Sequence, residues 1–98
     1  MSSFSFHRLA RRELDEAAQY YETESPGLGS KYLDAVEDCV RRVVEFPAAA
    51  GAVVRDEVRR NLVHGFPYAV LYREVPGRVR ILAIMNLKRR PTYWAGRE

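Results

Sequence analysis

The chain has 98 residues, 47% of them hydrophobic and 30% charged, a composition that excludes disordered and fibrous classes and fits one globular domain spanning residues 1–98. One cysteine, Cys39, excludes an intrachain disulfide and points to a reducing compartment, so a cytoplasmic location is expected. The net charge of +3 is segregated: residues 1–54 hold six Lys/Arg against nine Asp/Glu, and residues 55–98 hold ten against four.

Met1 to Leu9 lacks a long apolar run and a small-residue cleavage site, so no leader is expected and no bilayer contact is implied. Phe4-Ser5-Phe6-His7 alternates apolar and polar, which predicts a short strand with both rings toward the core. The period then changes. Ala10, Leu14, Ala17, Ala18 and Tyr21 recur at spacings of three and four, predicting a helix over Leu9–Thr23 with Arg12, Asp15, Glu16 and Gln19 outside. On the same pattern Glu13, Asp15, Glu16, Glu22 and Glu24 read as a solvated acidic face.

Ser25-Pro26-Gly27-Leu28-Gly29 breaks this helix, because proline disfavours helix in its predecessor and glycine permits positive φ. Leu33, Val36, Val40, Val43 and Val44 restore helical spacing, predicting a second helix over Gly29–Phe46 that Pro47 closes. The short connection implies an antiparallel helical hairpin.

Residues 47–51 read as a loop and Val53–Val63 as one irregular edge-type strand. Tyr68–Tyr72 is a strong strand, Val75-Pro76-Gly77-Arg78 a turn, and Val79–Met85 the returning strand of a hairpin. The last strand is apolar on both faces, so it should lie inside the sheet. The helical hairpin covers one face, and the tail with Tyr93 and Trp94, or another protein, must cover the other. The expected class is α+β: an N-terminal strand, an antiparallel helical hairpin on a small, mainly antiparallel sheet in the order β-α-α-β-β-β, and a basic C-terminal tail.

His7 and His64 fall in no metal-ligand spacing, and the chain has no phosphate-cradling glycine loop, so neither a metal nor a cofactor is expected. Cys39 lies beside the apolar stripe with no base next to it in sequence, which makes it a small core hydrophobe. The segment with most chemical content is Asn86-Leu87-Lys88-Arg89-Arg90-Pro91-Thr92-Tyr93-Trp94. Three adjacent cations followed by two aromatics suit phosphate contact and base stacking. They also suit a solvated turn with aromatics packed on the sheet, and composition leaves both readings open.

Five stretches together resemble the RelE/ParE superfamily of bacterial toxins from two-component toxin–antitoxin systems, nearer its ParE-like branch. They are Glu13-Leu14-Asp15-Glu16-Ala17-Ala18-Gln19-Tyr20-Tyr21-Glu22, Pro26-Gly27-Leu28-Gly29, Ala35-Val36-Glu37, Phe66-Pro67-Tyr68-Ala69-Val70-Leu71-Tyr72 and Arg89-Arg90-Pro91-Thr92-Tyr93-Trp94. The resemblance implies a helical hairpin on an antiparallel sheet, and a cognate antitoxin that forms a hetero-oligomer with the toxin. It also implies a target: DNA gyrase for ParE-like members, or messenger RNA cut on the ribosome for RelE-like ones.

By that resemblance the target-binding residues are Arg59, Arg60, Lys88, Arg89, Arg90, Tyr93 and Trp94. In the nuclease alternative, Arg60, Lys88 and Arg89 would hold the phosphate and Tyr93 would transfer a proton. Two positions depart from the RelE-like pattern. Ala69 replaces an expected arginine, and Asn86 stands where many relatives carry a histidine able to act as a base. These departures favour a gyrase inhibitor without chemistry of its own, and leave a third reading, a non-toxic antitoxin-binding module.

Overall fold

The computed structural model describes residues 3–98. β1 (Ser3–Phe6) leads into α1 (Arg8–Glu24) and α2 (Leu28–Glu45), then α3 (Pro47–Ala50), β2 (Ala52–Arg55), β3 (Val58–Leu62), β4 (Tyr68–Val75) and β5 (Arg78–Asn86). The five strands form one sheet in the order β1-β5-β4-β3-β2, antiparallel except for the β1–β5 pair. The expected α+β class with a mainly antiparallel sheet is what the chain adopts.

Local chemistry explains the helix ends. The imidazole Nδ1 of His7 accepts the Leu9 amide at 3.0 Å and caps α1. Burial first, then the nearby Arg97 and Arg80, lower the pKa of His7, which keeps the ring neutral and able to accept. Between the helices, the Glu22 carboxylate accepts the amides of Gly27 and Gly29, so an α1 side chain caps the N-terminus of α2 with a negative charge. Glu22 is therefore a cap rather than a member of a purely solvated face. Gly29 is required because a Cβ there would lie 2.6 Å from the Ala18 carbonyl oxygen of α1.

The sheet has a core on each face. The helix-side core holds Ala10 and Ala17 of α1, Tyr32, Val36, Cys39, Val40 and Val43 of α2, and Val70, Tyr72 and Ile81 of the sheet, among others. Facing the tail are Val58, Ala69, Leu71, Leu82, Ala83, Met85 and Trp94. Alternation along β4 divides its residues cleanly between the two. A register shift opposite Leu71–Tyr72 puts the adjacent Leu82 and Ala83 into the same far-face cluster. β5 is an interior strand, and Trp94, 4% exposed, covers the face opposite the helices.

Four further expectations change. Residues 47–50 form a helical turn rather than a loop, with Pro47 at its first position, where a missing amide costs nothing. Residues 53–63 form two strands, not one, reversed at Asp56 and Glu57, both at positive φ (47° and 64°). That is the hairpin geometry usually signalled by Asn-Gly or Asp-Gly, and Asp-Glu conceals it. Phe4 is half exposed rather than core-facing, because β1 is an edge strand and its start projects past the cover of α2 into an open groove. Leu33 is 40% exposed, and Tyr32 takes its place in the core against Tyr21, Phe66 and Tyr68, with ring centroids 5.2–5.3 Å apart.

Candidate target-contact site

The basic segment follows β5 as a compact loop held by backbone hydrogen bonds within itself and to the segment that precedes β4. The Leu87 amide donates to the Pro67 carbonyl at 2.9 Å and the Arg89 amide to the Asn86 carbonyl at 2.9 Å. The Asn86 side chain accepts the Lys88 amide at 2.9 Å, which makes Asn86 a turn-forming residue. Beyond it, the Trp94 indole donates to the Pro91 carbonyl at 2.7 Å and anchors the loop from the far-face core.

Lys88, Arg89 and Arg90 stand exposed on this loop, and among the described residues none forms an ion pair with an acid. The Arg89 guanidinium lies 4.0 Å from the centroid of the Tyr93 ring. Tyr93 is half-buried, with its hydroxyl enclosed and facing Glu13. Burial and that carboxylate push its pKa well above the ordinary tyrosine value, the reverse of what proton transfer near neutrality needs. Trp94 packs in the core, so its ring presents no free face for stacking.

Arg59 and Arg60 do not act as a pair, because adjacent strand residues point to opposite faces. Arg59 turns to the helix side and donates to the Gly51 carbonyl at 2.9 Å, tying β3 to the start of β2. Arg60 turns to the tail side, where with Arg55, Pro91, Thr92 and Trp94 it lines a shallow cleft of about 140 Å³. The structure thus gathers Lys88, Arg89, Arg90 and Tyr93 on one loop, brings Arg60 beside that loop's far end, and separates Arg59 from both.

Ala69 is fully buried in the tail-side cluster. The Cys39 thiol is also fully buried, 3.3 Å from the Asn61 side-chain oxygen, and burial pushes its pKa up to about 11, as befits a core residue. No group of three or more potential metal ligands occurs among the described residues. Nor, among them, is any helix long and apolar enough to cross a membrane.

Two residues that sequence reading placed on a solvated face or did not single out meet beside this loop. Glu13 and Arg97 form a bidentate ion pair at 3.0 Å, with side chains only 15% and 12% exposed. Their separation along the chain hid the pairing, and no spacing signal connects residues so far apart.

A small α+β domain with a helical hairpin on one sheet face, and an unpaired basic loop anchored from the other, has the architecture that the toxin resemblance implies. The family model described as ParE toxin of type II toxin-antitoxin system, parDE, matches residues 4–91. The chain belongs to that family. Among solved structures it is similar to one titled "Chromosomal ParDE TA system from P. aeruginosa", at 25% identity and a TM-score of 0.67, covering 88% of this chain and 96% of that one. A search of curated proteins gives no significant match.

Proposed function

We propose that this chain is a growth-inhibiting toxin that acts on DNA gyrase through the loop Leu87–Arg90 and is neutralised by an antitoxin. The observation that carries the choice of target is the contrast within the site. Three cations are exposed without acidic partners, while the one tyrosine placed for proton transfer has its hydroxyl buried against a carboxylate. Such a surface suits electrostatic docking better than acid–base catalysis.

The test is a side-by-side assay of purified protein for inhibition of gyrase supercoiling and for cleavage of ribosome-bound messenger RNA. Inhibition without cleavage is expected, and charge reversal at Lys88, Arg89 and Arg90 together should abolish it in a protein that still melts cooperatively. Cleavage without inhibition would establish the endoribonuclease alternative instead. Absence of growth arrest on expression without the antitoxin would leave only the non-toxic binding module.

The antitoxin fits the opposite end of the molecule. Between β1 and α2 lies an open groove of about 830 Å³, with Phe4, Val40 and Val44 as its apolar floor and Glu37, Arg41 and Glu45 on its rim. The outer edge of β1 pairs with no strand among the described residues. An amphipathic antitoxin segment would cover the apolar floor and pair with the rim charges. Phe4→Glu, at a half-exposed position, should leave growth inhibition intact while co-expressed antitoxin no longer rescues growth. Full rescue would place the antitoxin elsewhere.

A further inference from the structure

Among the described residues, β1 pairs with β5 from Ser3 to Phe6, opposite Arg78 to Ile81. The chain then turns away into α1, with the His7 amide donating to the Ile81 carbonyl at 2.8 Å. The β1-side edge of β5 beyond Ile81 is therefore left without a strand, and side chains take over its backbone groups. The Ile84 amide donates to Glu13 Oε1 at 3.1 Å, and Arg97 Nη1 donates to the Leu82 carbonyl at 3.1 Å. The same two side chains join each other through two hydrogen bonds of 3.0 Å. Glu13 on α1, the β5 edge and the end of the tail are locked into one unit.

That unit reaches the basic loop through Tyr93. The Arg97 guanidinium carbon lies 5.0 Å from the Tyr93 ring centroid, and the Arg89 guanidinium carbon lies 4.0 Å from it. Tyr93 thus has one guanidinium fixed by Glu13 and another that belongs to the exposed loop. The attraction within a shielded ion pair is largely offset by the loss of hydration, so stability is a weak reason for this arrangement. A bidentate carboxylate–guanidinium pair does hold orientation tightly.

The geometry points to Glu13 and Arg97 as positioning residues that aim Arg89 at the target by fixing the Tyr93 ring on which it rests. This role rests on the proposal that the loop Leu87–Arg90 contacts the target. Neither residue needs to touch the target itself. A flexible Arg89 would lose orientational freedom on docking, and the clamp removes part of that cost beforehand.

The test has two arms. In side-chain NMR of the isolated protein, Glu13→Gln should shift the Arg89 Nε–H resonance and broaden it toward that of free arginine, while core amides in α2 stay in place. This arm needs no target. In the second arm, potency is read as growth arrest and as supercoiling inhibition. Glu13→Gln and Arg97→Lys should each lower potency by about tenfold, equivalent to one well-formed contact. In an Arg89→Lys background, which keeps the charge but lacks the planar group, neither change should lower it further.

If Glu13→Gln unfolds the protein, Arg97→Lys, which keeps the charge, is the variant on which both arms are decided. An unmoved Arg89 resonance in a folded variant would overturn the inference. So would an undiminished loss of potency in the Arg89→Lys background, since a merely structural clamp would act regardless of Arg89. If gyrase is not inhibited by the unmodified protein, the proposed target fails while the NMR arm still decides the clamp.

Discussion

Val40→Asp is expected to leave no cooperatively folded domain. Val40 is 5% exposed and lies in the helix-side core with Val36, Cys39 and Val43. An aspartate there loses the apolar burial of the valine, worth about 1.5–3 kcal/mol, and sets a carboxylate among the apolar side chains of the helix-side core, where it loses most of its hydration. It can escape ionisation only by a raised pKa, which itself costs stability at neutral pH. The sum is comparable with the whole stability of a domain of this size, about 5–15 kcal/mol. Thermal denaturation followed by circular dichroism should show no sharp transition, whereas Glu16→Lys, on the exposed side of α1, should melt within about 0.5 kcal/mol of the unmodified protein. A soluble Val40→Asp protein with an unchanged melting curve would mean that α2 does not bury this face.

Periodicity recovered what periodicity encodes. The α1 stripe, the valines of α2, the β4–β5 hairpin and the interior position of β5 follow from spacings of two and of three or four, together with the Pro76-Gly77 turn. The errors lie where two signals compete. Tyr32, Val36, Cys39, Val40 and Val43 share one helical face, but Leu33 is the more apolar neighbour of Tyr32 and drew the stripe one residue sideways. The β2–β3 hairpin was illegible because Asp56-Glu57 carries no glycine or asparagine at a turn with two positive φ angles.

The site was legible as a segment and not as a geometry. Lys88 to Trp94 stood out by composition, yet whether each aromatic faced solvent or the core depended on contacts far away in the chain. Strand alternation alone could have separated Arg59 from Arg60, since neighbours on a strand point to opposite faces. The Glu13–Arg97 pair had no comparable signal. A glutamate within an acidic helix face looks like its solvated neighbours until the sheet edge that it completes is in view.

The same distinction between core and contact surface governs Trp94, whose removal should have the other large effect. Trp94→Ala takes the only tryptophan from the tail-side core and strips its cover from Leu71, Leu82 and Met85. Truncations of this kind cost about 3–5 kcal/mol, a large share of the total stability. It also frees the Pro91 carbonyl that the indole holds and releases the end of the basic loop. The proposed growth inhibition should therefore fall with stability across the series Trp, Phe, Leu, Ala. Trp94→Phe should lose only about 1 kcal/mol from the missing hydrogen bond, beyond its smaller volume. Trp94→Leu is decisive, because it fills part of the core but cannot stack on a base. If it stays folded and toxic, the ring acts from inside the domain. If it is folded but inert, the ring reaches the target after leaving the core, and the native protein's tryptophan emission should then shift to the red on target binding.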